Sequence, residues 1–351
     1  MSRVRLAIVD DAAFIRSALV RLLHGTPVEV VGVAKDGEEL MRHIDEWQPD
    51  VITLDLQMPG MGGMSTLDRV MATRPTPVII MSAHSGEGAP LTVEALSRGA
   101  ADFIDKEAYS LIDFERLRQV IVEKAVALAG AGVTAQPERP AQEPAAAPAP
   151  AAPPPRPGGQ TFDLVVIGAS TGGPSAIERI LHTVGTARVP IAIAQHMSAE
   201  ITRAFAERLD RTLGMRVREG DHGEEMEAGV AYIAPGGADM RVEGTVAAPR
   251  LAICEPAPGA LNRPSVDVLF ESAARVSKAR TLAVLLTGMG RDGARGMGTL
   301  RAAGAHTIAQ DAESCVVHGM PRAAVEAGAA VEVLSLDAIG LRLRALVGQG
   351  D

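Results

Sequence analysis

The chain has 351 residues, enough for about two or three domains with cores of their own. Its 34 Lys and Arg stand against 43 Asp and Glu, a formal charge of −9, and no dense basic run occurs. That balance argues against nucleic acid or an anionic membrane surface as the main partner. Cys254 and Cys315 are far apart and in no metal-ligand spacing, so no disulfide framework is expected. The first apolar run ends at Asp10-Asp11, too soon for a signal or an anchor, and no later run is long enough to span a bilayer. The expectation is a cytoplasmic protein without membrane insertion.

From the amino terminus, β-like runs at 6–9, 28–34, 51–54, 78–82 and 101–104 alternate with helical patterns. Ile15, Ala18, Leu19, Leu22 and Leu23 recur at helical spacing, as do Leu40, Met41, Ile44 and Trp47. Five such alternations predict a parallel sheet covered on both faces, with ligands outside the carboxyl ends of the strands. Asp10 and Asp11 close the first strand, Asp55 the third and Ser82 the fourth, and Lys106 follows the fifth. Three crowded carboxylates call for a hard divalent cation, and all-oxygen ligands suit magnesium. Together with an ammonium and a hydroxyl, the cluster suits phosphoryl transfer to a carboxylate.

These residues, as IVDD (8–11), LDLQMPG (54–60), MSA (81–83) and DFIDK (102–106), resemble the receiver domain of two-component response regulators over residues 3–128. The resemblance implies a (βα)5 fold in which Asp55 accepts a phosphoryl group from a chemotaxis histidine kinase. It also implies magnesium held by Asp11, Asp55 and the backbone carbonyl of Gln57, with Asp10 acting through water. Ser82 becomes the switch hydroxyl and Lys106 the phosphate-contacting ammonium. Glu107 stands where proline is usual and Gly62 where aspartate is common.

Over 129–160 the composition turns to alanine, proline, glycine and glutamine, with Pro153-Pro154-Pro155 near its end. A stretch without periodic apolar residues cannot offset the entropy of ordering, so a disordered Pro/Ala-rich tether is expected.

A second α/β domain is expected over 161–347, with β-like runs at 164–167, 189–194, 215–217, 230–233, 281–287 and 307–309 and a helix at 266–276. A small antiparallel addition is expected within 240–253, broken at Gly244. The first strand leads into Gly168-Ala169-Ser170-Thr171-Gly172, a nucleophile-elbow pattern in which small neighbours let the backbone turn sharply and leave the serine hydroxyl at the strand end. A glycine-rich phosphate cradle, in a phosphorylation-controlled nucleotide-binding module without catalysis, is the alternative reading. Histidine is the natural proton acceptor near neutral pH. His196 directly follows a strand; His318, in a loop, ranks second, while His182, His222 and His306 lie in a helix, among charges and before a strand. Asp292 ends another apolar run and is the candidate orienting carboxylate, with Asp311 as the alternative.

IGASTGGP (167–174), AQHM (194–197), YIAPGG (232–237), RPSVDVLF (263–270), LLTGMGRDG (285–293) and AQDAESCVVHGMP (309–321) together resemble the catalytic domain of the CheB family of chemotaxis protein-glutamate methylesterases. The resemblance implies Ser170 as nucleophile, His196 as general base and Asp292 as its orienting carboxylate, with the Met289 amide binding the oxyanion and Thr171 bordering the site. It implies methylated chemoreceptors as substrate, receptor glutamine deamidation as a second reaction, recruitment to membrane receptor arrays and no cofactor for ester hydrolysis. His318 stands where an apolar aromatic is usual, and Ala312-Glu313 invert a common pair.

Overall fold

The computed structural model describes residues 3–82, 88–106, 114–130, 161–258 and 262–348. The first half follows the order β1 (Val4–Val9), α1 (Ala13–Leu23), β2 (Val28–Ala34), α2 (Gly37–Trp47), β3 (Val51–Asp55), α3 (Gly62–Thr73), β4 (Val78–Ser82), α4 (Gly88–Ser97), β5 (Asp102–Asp105) and α5 (Phe114–Gly130). Its five strands form one parallel sheet in the order β2-β1-β3-β4-β5. Period-two alternation sorts the side chains into two layers. Leu6 and Ile8 face Leu19, Leu23, Ile121 and Ala125 of α1 and α5. Ala7, Val9, Ile52 and Leu54 face Leu40, Ile44, Leu67 and Val70 of α2 and α3. Helix α5 runs two residues past the expected boundary at 128, and residues 131–160 of the expected tether lie outside the described residues, as does Glu107.

The second half contains β6 (Leu164–Ala169), α6 (Gly173–Val184), β7 (Ile191–Gln195), α7 (Ala199–Thr212), β8 (Arg216–Glu219), β9 (Val230–Ile233), β10 (Asp239–Thr245), β11 (Ala248–Cys254), α8 (Val266–Val276), β12 (Thr281–Leu285), α9 (Ala294–Ala302), β13 (His306–Gln310), α10 (Met320–Glu326), β14 (Glu332–Leu334) and α11 (Leu336–Val347). Seven parallel strands run β14-β13-β12-β6-β7-β9-β8, and β10 and β11 form a separate antiparallel pair. The hairpin turns at Val246-Ala247 rather than at Gly244, which sits inside β10 opposite Pro249 with φ 87°.

Strands β6, β7 and β12 are buried throughout. Val165, Ile167, Ile191, Ile193, Leu282 and Val284 join one core layer, and Leu164, Val166, Ala192, Ala194, Ala283 and Leu285 the other. Each larger aliphatic side chain so buried contributes about 1.5–3 kcal/mol. The chain leaves β6 toward β7 on one side and returns to β12 on the other, so the order reverses at β6. A crevice opens at such a reversal, outside the carboxyl ends of the strands. No described helix is long and apolar enough to cross a membrane.

Candidate active site

The Ser170 turn is shaped by packing on both sides. A Cβ at position 168 would lie 2.2 Å from Val266 Cγ1, and one at 173 would lie 1.9 Å from Gln195 Oε1. Glycine at these two places lets α8 and the Gln195 side chain approach the strand end. Only Gly172, with φ 77°, uses the left-handed region, and it caps the start of α6. Ser170 N donates to Thr287 O at 3.0 Å, and His196 N donates to Ala169 O at 3.2 Å. Gln195, 2% exposed, donates from Nε2 to the carbonyls of Ser170 (3.0 Å) and His196 (3.3 Å). The loops after β6, β7 and β12 are thereby tied into one rim.

His196 Nε2 lies 2.9 Å from Asp292 Oδ2. Asp292 also accepts from Val266 N (2.8 Å), Asp267 N (3.0 Å), Ser265 Oγ (3.1 Å) and Gly293 N (3.0 Å). Most of these donors belong to the first turn of α8, whose positive end favours a carboxylate. Burial pushes the Asp292 carboxyl up, but the hydrogen bond and charge of His196 and the amides of Asp267 and Val266 outweigh it and hold the group below its ordinary value. A carboxylate so held stays ionised and fixes the imidazole by one edge. Nδ1 is the nitrogen left for a proton, and no hydrogen bond joins Ser170 Oγ to His196 among the described residues.

The other sequence candidates are placed elsewhere. His306 begins β13 at the far edge of the sheet and pairs with Glu332 at 2.6 Å; His182 lies in α6; exposed His222 accepts from Ile253 N at 3.2 Å. His318 is beside the site, since Gly288 N donates to Val317 O at 3.0 Å, but its Nε2 is buried without a partner. Burial, then Arg322, lowers its pKa. Asp311 accepts from Ser314 N and Oγ at 2.9 and 2.7 Å, closing its own turn. Met289 borders the site in the loop after β12, and its amide donates to no acceptor among the described residues. Burial pushes the nearby Cys315 thiol up to about 12, which removes it as a nucleophile. Ser265 and Gln195 were not anticipated as site residues; Ser265 carries the N-cap signal, a serine directly before a helical apolar run.

In the first domain the order reverses between β1 and β3, and Asp10, Asp11 and Asp55 meet there, one oxygen of each within 4.8 Å of the others. Lys106 Nζ reaches Asp55 Oδ2 at 2.6 Å and Asp10 Oδ2 at 2.7 Å. Burial drives the Lys106 pKa down, but the two carboxylates outweigh it and raise it; burial raises that of Asp10 against the pull of Lys106. Three carboxylates facing one ammonium leave excess negative charge, a donor set that fits a divalent oxygen-loving cation. Gln57 N donates to Asp55 Oδ1 at 3.0 Å, which fixes the backbone beside this cluster. Ser82 ends β4 at the same edge.

The two domains touch at the turn that follows Ser170. Gly172 N donates to Ala101 O at 3.0 Å, Thr171 Oγ1 donates to Asp102 Oδ2, and Ser175 Oγ donates to Leu96 O at 2.8 Å. Val317 is part of the apolar cluster of the first domain, with Met289 and Val316 packed against it. Helix α4 packs on α6 and α7. The first domain therefore covers residues that immediately follow Ser170.

Two family models match the chain, one described as CheB methylesterase over residues 165–343 and one as response regulator receiver domain over 6–121. Symbiobacterium thermophilum has a relative named protein-glutamate methylesterase/protein-glutamine glutaminase, 41% identical over 99% of this chain and 98% of its own length. A Caulobacter vibrioides protein of the same name, numbered 1, is 40% identical over 97% of each chain. Among solved structures, the Thermotoga maritima CheB methylesterase catalytic domain aligns over 53% of this chain and 100% of its own, at 37% identity and a TM-score of 0.50.

Proposed function

The chain belongs to the CheB methylesterase family and joins its hydrolase domain to a response regulator receiver domain, and from that premise we propose that Ser170, His196 and Asp292 hydrolyse glutamate 5-O-methyl esters on chemoreceptors. The observation that carries this reading is the 2.9 Å bond between His196 and Asp292 on the rim that also holds Ser170. A nucleotide-holding module would leave that pair without a task.

Ser170 Oγ attacks the ester carbonyl while His196 Nδ1 takes its proton. Asp292 keeps the ring in one orientation and stabilises the imidazolium. The Met289 amide donates to the oxyanion, a contribution of about 3 kcal/mol for such a donor. His196 returns the proton to departing methanol, and water then releases the glutamate carboxylate by the same route. A glutamine side chain enters the same cycle with ammonia as the leaving group, giving deamidation.

Asp55 accepts a phosphoryl group from a chemotaxis histidine kinase. Asp10, Asp11, Asp55 and the Gln57 carbonyl would hold magnesium, whose charge offsets that of the phosphoryl oxygens. Lys106 leaves Asp10 to contact the phosphate, and Ser82 is the switch hydroxyl. With Asp55 unmodified, the receiver covers the Thr171-Gly172 turn; phosphorylation favours the uncovered state and raises hydrolysis. The substrate sets the location, a cytoplasmic one at membrane receptor arrays.

A serine-directed phosphonate tests the catalytic assignment. Its adduct is expected on Ser170, formed slowly in a His196→Gln variant; a wild-type protein that stays unlabelled while releasing methanol rules out Ser170 as nucleophile.

A further inference from the structure

The geometry points to a carboxylate-binding subsite beside the nucleophile, formed by the Thr171 hydroxyl and the Gly172 amide, which the docked receiver fills with its own Ala101-Asp102 segment and an acidic side chain of the protein substrate fills once the receiver leaves. The inference rests on the reading of this domain as an ester hydrolase and adds a substrate preference to it. Ala101 and Asp102 lie along the nucleophile turn as a bound peptide would. Ala101 offers its carbonyl to Gly172 N at 3.0 Å, and Asp102 offers a carboxylate oxygen to Thr171 Oγ1. Both partners of the second bond are buried, Thr171 at 4% and Asp102 at 7% exposure.

The donors define the chemistry. Gly172 is the N-cap of α6 and supplies no side chain to cap it, so the helix presents its positive end to the occupant. In the docked state Lys124 of the receiver shares the Asp102 carboxylate. When the receiver departs, Lys124 departs with it, and the catalytic domain is left with the donor-only Gly172 amide at the positive end of α6 and the Thr171 hydroxyl beside it. A group that accepts hydrogen bonds and carries negative charge replaces Asp102 with least loss; a cation meets the positive end of α6 and leaves the Gly172 amide unpaired, and an apolar side chain leaves both groups unpaired. Glutamate or aspartate next to the ester is such a group. Asp102 thus competes with substrate for one place, in addition to the receiver's bulk standing over the site.

The test uses the full chain as wild type, Asp102→Asn, Thr171→Val and Thr171→Ser. Methanol release is followed on two peptides that carry one γ-methyl glutamyl ester and differ only in having Glu or Gln at the neighbouring positions. The wild type and D102N are expected to favour the Glu peptide through a lower KM, on the order of tenfold, the scale of one hydrogen bond to a charged group. D102N should show the lower KM of the two, because the internal competitor is weakened. T171V should lose the preference and T171S should keep it, which separates the hydroxyl from a folding defect. A preference that survives in T171V overturns the subsite. Equal KM values for the two peptides with active wild-type protein also overturn it while leaving the esterase reading intact, whereas no methanol from either peptide with any of the proteins overturns both.

Discussion

His196 presents Nε2, not Nδ1, to Asp292, at 2.9 Å, so the nitrogen nearer the ring's attachment is the one left free of that bond and, in the proposed mechanism, the one that takes the serine proton. The carboxylate is in turn fixed by the first amides of α8. Asp292→Asn keeps the shape but presents an amide to Nε2 and removes the charge that stabilises the imidazolium. The expected outcome is a fall in kcat of about 10,000-fold with KM nearly unchanged. A variant that loses only KM places Asp292 in substrate binding instead.

The same carboxylate links activity to stability. Its folded-state pKa lies below the value in an unfolded chain, so ionised Asp292 stabilises the fold above roughly pH 4. That contribution disappears as pH falls through the folded-state value. In urea unfolding, the lead of wild type over D292N should be full at pH 7 and shrink as the solution is acidified below about pH 4. A lead that is constant over this range contradicts the assignment of the ionised form.

Much of this was legible because strand ends concentrate polar residues. The strand at 230–233 and the helix at 266–276 were read with the bounds they have, and Ser170, His196 and Asp292 were placed on one edge from the apolar runs before them. Three features were not legible. From the sequence Gly168 reads as a small neighbour that lets the backbone turn sharply, whereas it makes room for Val266, a contact set by how α8 crosses the sheet. Strand β14 is a partly exposed segment of three residues, too short for an alternation to register. The bond from Thr171 to Asp102 joins residues 69 apart in different domains, and nothing in either local pattern announces it.

The proposed function puts metal and phosphate in one domain and ester chemistry in the other. Chelating divalent ions should abolish phosphoryl uptake from a small phosphodonor and leave basal methanol release unchanged. Asp55→Asn should likewise take up no phosphate, as read by intact mass. Basal release that collapses on chelation contradicts a metal-free hydrolytic site.

Removing residues 1–140 uncovers the Thr171-Gly172 turn together with Met289, Val316 and Val317. Basal methanol release should rise, on the order of tenfold, a common size for coupling between two sites. The truncated protein should also bind an apolar dye at the exposed patch. A truncated protein no faster than the intact chain contradicts cover by the receiver.

The central claim is that one hydroxyl performs the hydrolysis. It is tested most directly by methanol release from methylated chemoreceptor membranes, comparing wild type with Ser170→Ala at equal concentration. Release by the wild type and none above the uncatalysed rate by the variant is the predicted result; undiminished release by the variant contradicts the account.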